Sequence, residues 1–80
     1  QEKRTIVLFE SPHRIAKTLN ELYQAMGDRK AVLARELTKI HEEVIRGTLE
    51  DLAVVAEEQK LKGEITLVIS GVPRDRNRGN

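Results

Sequence analysis

Residues 5–15 read Thr-Ile-Val-Leu-Phe-Glu-Ser-Pro-His-Arg-Ile, and this stretch decides the class of fold. Its first part, residues 5–9, is a short apolar run of strand formers and predicts a buried strand. Ser11 is a favoured N-cap and Pro12 is favoured at the first position of a helix. Apolar residues then recur at helical spacing, so we expect a helix from about Pro12 to Met26.

The rest of the chain repeats the alternation of strand and helix. Gly27 suits a left-handed cap at the end of the first helix. Thr48-Leu49-Glu50-Asp51 resembles a capping box and predicts the start of a second helix, which Gly63 closes. Lys60 and Lys62 have the charge that the end of a helix favours. Further strands are expected at 31–38, around Val44-Ile45 and at 65–69, with 39–43 as a loop.

The predicted order is therefore β-α-β-β-α-β, an α/β fold with a mixed sheet and helices packed on it. Ferredoxin-like sandwiches and halves of larger α/β enzymes share this order, and the order alone does not choose between them. We expect residues 1–71 to form the folded unit. Residues 72–80 are expected to be a frayed, arginine-rich tail.

Composition excludes several classes of protein. The 80 residues contain no cysteine, which excludes disulfides and thiolate sites, and no apolar run is long enough to span a membrane. A net charge of +1 and only two aromatic residues argue against a strongly basic or base-stacking surface. The first residues, Gln-Glu-Lys-Arg, resemble an interior cut from a longer protein.

The turn from the first strand into the first helix is the most informative candidate site. His13 and Arg14 fall at the expected helix start, where positive charge is electrostatically unfavourable. An external phosphate or carboxylate would relieve that conflict. The alternative is that Glu10 supplies the anion and pairs internally with Arg14.

A second candidate is Arg35-Glu36-Leu37-Thr38-Lys39, where a strand emerges into a charged loop; the alternative is a solvated strand end. His41, Glu42 and Glu43 point in alternating directions, so no metal site is expected. The sequence has no Gly-x-Gly-x-x-Gly or Walker lysine motif.

Three segments taken in order carry a resemblance to a known family. They are Leu-Phe-Glu-Ser-Pro-His-Arg-Ile (8–15), Leu-Ala-Arg-Glu-Leu-Thr-Lys (33–39) and Lys-Gly-Glu-Ile-Thr-Leu-Val-Ile-Ser-Gly (62–71). With Arg-Gly-Thr-Leu-Glu-Asp-Leu (46–52), they resemble the C-terminal subdomain of the tetrapyrrole methylase superfamily, the class III S-adenosylmethionine-dependent methyltransferases. Within it they resemble the ribosomal RNA small-subunit 2′-O-ribose methyltransferases.

The resemblance implies a set of site residues. Phe9, Glu10, Ser11, Leu37, Thr38 and Thr66 would contact S-adenosylmethionine, and His13, Arg14, Arg35 and Lys39 would meet RNA phosphate or form an internal charge network. The resemblance does not identify a catalytic residue in this chain.

The resemblance also implies partners. In the family the cofactor lies between two subdomains, so this chain would supply one wall and an N-terminal subdomain the other. We expect the chain alone to be inactive, with small-subunit ribosomal RNA as substrate, a homodimer as assembly and the cytoplasm as location. The alternatives are a methylase of tetrapyrroles or other small molecules, and a non-enzymatic ferredoxin-like binding module.

Overall fold

A computed structural model describes residues 4–38, 40–59 and 61–73, apart from the side chains of residues 37, 38, 72 and 73. The predicted order β-α-β-β-α-β is confirmed within this part. The elements are β1 (Ile6–Glu10), α1 (Ile15–Met26), β2 (Arg29–Thr38), β3 (His41–Thr48), α2 (Leu49–Glu58) and β4 (Ile65–Pro73).

The four strands form one sheet in the order β1-β4-β2-β3. Each neighbouring pair is antiparallel, whereas we expected a mixed sheet. Because β1 and β2 both run antiparallel to β4, they are parallel to each other, but β4 lies between them. The helix α1 connects β1 to β2, and β4 lies between these two strands. The helix α2 connects β3 to β4, and β2 lies between those two strands.

The hydrophobic core lies on one face of the sheet. Leu8, Leu67, Leu33 and Ile45 form one row across the four strands. The helices cover this face with four fully buried side chains, Ile15, Leu19, Leu49 and Leu52. Each such aliphatic side chain contributes roughly 1.5–3 kcal/mol through burial, so this layer holds the domain together.

The apolar run at residues 5–9 predicted a buried strand, but the first strand is not buried on both faces. β1 is an edge strand that pairs only with β4, and its residues alternate between half-buried and exposed. The side chain of Val7 is 51% exposed and that of Phe9 is 80% exposed. Helices cover one face of the sheet only, so alternate residues of β1 are left on the other face.

The first helix begins at Ile15, three residues later than expected. Ser11 is not its N-cap, because the Ser11 carbonyl accepts the Arg14 N–H at 3.1 Å and residues 12–14 form a turn. Arg14 takes the N-cap position and provides no side-chain cap. The end is as predicted: Gly27, with φ of 76°, donates its N–H to the Tyr23 carbonyl.

Of the expected loop at 39–43, residue 40 lies in a turn, but residues 41–43 do not form a loop. β2 and β3 make a hairpin in which Thr38 pairs with His41, so 41–43 belong to β3. Lys39 lies outside the described residues. Residues 42–46 alternate between the two faces of the sheet, as residues of a strand do, although β3 contains few apolar residues.

The capping box at the start of α2 is confirmed. The Thr48 hydroxyl accepts the Asp51 N–H at 3.2 Å, and the Asp51 carboxylate accepts the Thr48 N–H at 3.0 Å. The helix ends at Glu58 with Gln59 as C-cap, so Lys62 lies beyond it and Lys60 is outside the described residues.

Gly63 belongs to the turn into β4 rather than to the helix end. Its φ is 85°, and a Cβ there would overlap the Glu36 carbonyl, so the turn requires glycine. β4 then extends to Pro73, past the expected strand at 65–69. Residues 74–80 of the expected tail lie outside the described part.

Neither helix in the described part of the chain has the length and apolar character needed to cross a membrane.

Candidate functional site

The residues predicted to contact the cofactor meet at one end of the sheet. Phe9, Glu10 and Ser11 lie at the end of β1, and Thr66 lies near the start of β4. The backbone of Leu37 and Thr38 lies at the end of β2, which is the same end of the sheet; their side chains are outside the described part. Strands that are distant in sequence therefore bring these positions together.

Phe9 and Thr66 are neighbours on the face that the helices leave uncovered. They are register partners between β1 and β4. Phe9 is the most exposed large hydrophobic side chain of the strands in the described part, at 80%. An exposed aromatic ring beside a hydroxyl offers both an apolar contact and a hydrogen-bonding group to a ligand.

A cleft of about 420 Å³ lies beside this pair. Thr66 and Ala34 line it on the sheet, and Glu36, Glu42 and Glu64 bring three carboxylates to its walls. Our sequence interpretation missed these three residues as a group. The alternation of β2 and β3 places Glu36 and Glu42 on one face, but only the tertiary register brings Glu64 beside them.

Glu10 points away from this cleft, towards the helices. Its carboxylate accepts the Thr18 hydroxyl at 2.6 Å and the Ser11 N–H at 2.8 Å, and it lies 3.8 Å from the Arg14 Nε. The Thr18 hydroxyl, the Ser11 N–H and the Arg14 charge together hold the pKa of Glu10 below its ordinary value, against a smaller opposing effect of desolvation. Glu10 therefore joins β1 to α1 structurally.

The basic residues of the family motifs divide into two groups. His13 and Arg14 are exposed on the turn before α1. Arg35 is half-buried on the helix-covered face, and its Nε lies 2.6 Å from a Glu43 carboxylate oxygen on β3. The internal pairing that we kept as an alternative is therefore present for Arg14 and for Arg35. Lys39 lies outside the described residues.

A second cleft lies on the helix side of the same end. Its volume is about 590 Å³, and it separates the turn before α1 from the end of α2. His13 and Lys62 are the basic residues on its walls, with Glu57 as the acidic one. Exposed positive charge thus lies next to the turn of the Glu-Ser-Pro-His-Arg motif.

The strand β3 separates Glu43 from the other two residues considered as metal ligands. Glu43 faces the helices and pairs with Arg35, whereas His41 and Glu42 line the cleft on the open face. Within residues 4–38, 40–59 and 61–73, no group of three or more metal-ligating side chains is placed to hold an ion.

A domain of this order, with one sheet face open and polar and charged residues gathered at one sheet end, fits a lobe of a larger α/β enzyme. Comparison with known families gives its class: the model of the Tetrapyrrole (Corrin/Porphyrin) Methylases matches residues 1–53, and the chain belongs to that family.

Three similar curated proteins carry the name "Ribosomal RNA small subunit methyltransferase I". The protein from Mycobacterium tuberculosis (strain ATCC 25618 / H37Rv) is 51% identical over 72 residues, which are 89% of this chain and 25% of the relative. That of Thermotoga maritima is 45% identical over 71 residues, 89% of this chain and 32% of the relative.

A third relative, from Synechocystis sp., is 49% identical over 78 residues. These cover 95% of this chain and 28% of the relative. The chain thus spans between a quarter and a third of the length of these three proteins.

Proposed function

We propose that this chain forms one wall of the cofactor cleft of an S-adenosylmethionine-dependent methyltransferase. Its substrate would be small-subunit ribosomal RNA, methylated at a ribose 2′-hydroxyl. The observation that carries the proposal is the shared name of relatives that are 45–51% identical over at least 89% of the chain.

The chemistry of the open sheet end fits the cofactor. Phe9 offers an apolar ring, Thr66 a hydroxyl, and the nearby carboxylates of Glu36, Glu42 and Glu64 offer negative charge. S-adenosylmethionine carries an apolar adenine, hydrogen-bonding ribose hydroxyls and positive charge on its sulfonium and ammonium groups, so each feature has a counterpart here. When bound, it supplies the electrophilic methyl group.

The contribution of this lobe to the reaction is positioning. In-line methyl transfer needs the nucleophile, the methyl carbon and the sulfur held in alignment, and the rigid sheet supports Phe9 and Thr66 for that purpose. We propose that Leu37 and Thr38 contribute from the end of β2. Glu10 and Ser11 would act through the β1–α1 turn, because Glu10 bonds to that turn and to α1.

On the substrate side, we propose that His13 and Arg14 meet RNA phosphate, with Lys39 as a further contact. Both described residues are exposed, and Lys62 adds positive charge on the neighbouring cleft. Arg35 would act indirectly by holding β2 to β3 through Glu43. Because the net charge is only +1, this lobe alone should bind RNA weakly.

The proposal includes an N-terminal subdomain that supplies the other wall and the group that accepts the hydroxyl proton. It also places the protein in the cytoplasm, where ribosomal RNA is made in bacteria, and assigns it a homodimeric assembly. The isolated 80-residue chain should therefore show no methyl transfer.

A graft tests the function directly. Residues 4–71 replace the matching segment of the Mycobacterium tuberculosis relative, and methyl transfer from labelled S-adenosylmethionine to small-subunit RNA is measured. We expect an active chimera, while the isolated chain shows none. A folded, cofactor-binding chimera that methylates a porphyrinoid and not RNA would favour the small-molecule alternative and contradict the proposal.

The same chimera tests the site. Phe9→Ala and Thr66→Ala should each raise the KM for S-adenosylmethionine by about tenfold, the loss of one buried contact, with kcat less affected. Val54→Lys, on the exposed side of α2, is the matched control and should leave both constants unchanged. Equal effects of all three substitutions would exclude the open sheet end as the cofactor wall.

A further inference from the structure

A third cleft lies on the open face of the sheet, further along the strands than the residues proposed for the cofactor wall. Its volume is about 530 Å³. Val32 and Val68, which are register partners on β2 and β4, give it an apolar lining. Lys30 and Arg46 line it as well, and none of its described lining residues is acidic. The proposed function leaves this cleft, the basic cleft, without a role.

The two cations of the basic cleft are diagonal neighbours on adjacent strands. Arg46, on β3, is the register partner of Val32, and Lys30 lies two residues before Val32 on β2. Both are exposed, and within residues 4–38, 40–59 and 61–73 neither side chain takes part in an ion pair or a hydrogen bond. Like charges this close on adjacent strands repel each other. An anion bound between them would remove that repulsion.

The other two arginines of the described strands are held by the protein itself. Arg29 donates to two backbone carbonyls, and Arg35 pairs with Glu43. Lys30 and Arg46 differ from them, because the described part of the fold makes no use of their charges. This difference, on a face that the described helices leave uncovered, indicates that the two cations serve an anionic ligand.

We propose that the basic cleft binds a backbone phosphate of the RNA substrate, a contact that rests on the proposed function and extends it. A guanidinium and an ammonium group both donate to phosphate oxygens and match their charge. The apolar lining offers packing to the ribose or base beside that phosphate. Towards the hairpin end of the same face, Glu36, Glu42 and Glu64 repel phosphate and favour a cationic cofactor. The face thus has a cofactor half and a substrate half.

The strand register places the basic cleft next to the cofactor wall. Along β2, Ala34 is level with Thr66 of that wall. Val32, the register partner of Arg46, lies two residues or about 7 Å from Ala34, and Lys30 lies four residues or about 14 Å from it. A nucleic-acid strand carries a phosphate on every nucleotide. A strand whose ribose lies at the cofactor wall therefore brings a neighbouring phosphate to the two cations.

The salt dependence of RNA binding tests the contact in the chimera that carries residues 4–71 within the Mycobacterium tuberculosis relative. Lys30→Gln and Arg46→Gln should each raise the Kd for small-subunit RNA about fivefold at about 0.1 M salt. Each should also reduce the slope of log Kd against log salt, measured from about 50 to 200 mM, by about 0.7–0.9, the loss of one phosphate contact.

Matched variants separate this contact from a general effect of charge. Lys17→Gln removes the same charge as Lys30→Gln from an exposed position on α1, behind the sheet, and should leave the slope unchanged. Lys30→Arg keeps the charge and should retain the slope. The KM for S-adenosylmethionine should stay within about twofold in all variants, since the cleft holds substrate and not cofactor.

Three results would overturn the inference. A slope that Lys17→Gln reduces as much as Lys30→Gln would show only diffuse attraction. A raised KM for S-adenosylmethionine with an unchanged slope would place the cofactor carboxylate in the cleft. A lower free energy of unfolding with an unchanged slope would show that the cations pair with an acidic part of the longer protein.

The inference and the proposed function fail in different ways. If the unmodified chimera methylates RNA while Lys30→Gln and Arg46→Gln bind RNA as tightly as it does, only the phosphate site is excluded. If the unmodified chimera binds cofactor but neither binds nor methylates RNA, the proposed function is excluded and the phosphate site with it.

Discussion

At the scale of single residues, Glu10 shows how a motif position can be structural. Its side chain lies on the helix-covered face and bonds to the Ser11 N–H and the Thr18 hydroxyl, so it connects β1 to the first turn of α1. Arg14, at the N-cap, adds a longer contact of 3.8 Å. The internal anion thus relieves the unfavourable charge of Arg14 at the helix start.

Because these contacts lower the pKa of Glu10 in the folded state, its ionised form stabilises the fold. This contribution is complete above the unfolded pKa of about 4.5 and is lost as the pH falls through the lower folded pKa. Glu10→Gln should reduce the free energy of unfolding at pH 7. The difference from the unmodified chain should shrink below pH 4.5, as measured by urea denaturation across pH.

Thr18→Ala is the companion variant, because it removes the main cause of the lowered pKa. A difference between Glu10→Gln and the unmodified chain that stays constant down to pH 3 would contradict this assignment.

At the scale of elements, the start of α2 is the best-defined local structure. Thr48 and Asp51 bond reciprocally, and Glu50 adds a second acidic residue to the first turn, where the helix dipole favours it. By contrast, α1 begins without a side-chain cap. Both helices bury apolar side chains in the core, and α2 has in addition the side-chain cap that α1 lacks.

Thr48→Ala should lower the free energy of unfolding by about 1 kcal/mol, the usual cost of losing an N-cap. Thr48→Ser, which retains the hydroxyl, should lower it by less. Both values come from chemical denaturation at neutral pH. If the two substitutions cost the same, the loss reflects packing of the buried Thr48 methyl group and not the cap.

At the scale of the whole molecule, the sheet has one covered face and one open face. Leu33 and Val32 are consecutive residues of the central strand β2, and they point to opposite faces. Leu33 is fully buried against the helices, whereas Val32 is half-buried on the open side. The two faces should therefore respond very differently to the loss of an apolar side chain.

Leu33→Ala should cost about 2–5 kcal/mol, because it leaves a cavity in the core. Val32→Ala should cost about 1 kcal/mol or less, mainly through strand propensity and partial burial. Thermal and urea unfolding of the two variants provide the comparison. A similar cost at both positions would mean that another layer covers the open face.

Much of this architecture could be predicted from local patterns. Apolar patterns identified both helices and all four strands, and the Thr48–Asp51 box located the start of α2. The polar first part of β3, residues 41–43, was missed because its pairing with β2, and not its own composition, makes it a strand. Of the candidate site, the Phe9 and Thr66 positions came from family motifs, but the three glutamates of the cleft did not.

The sequence by itself determined the order of elements and which residues of each helix face the core, because periodicity is a local property of the chain. Only the tertiary structure decided that β4 lies between β1 and β2, which depends on contacts such as Leu33 with Leu67, far apart in the chain. That placement puts Phe9 beside Thr66, gathers three glutamates at one end, and leaves one face open. Such features depend on which strands become neighbours, and no local pattern specifies that.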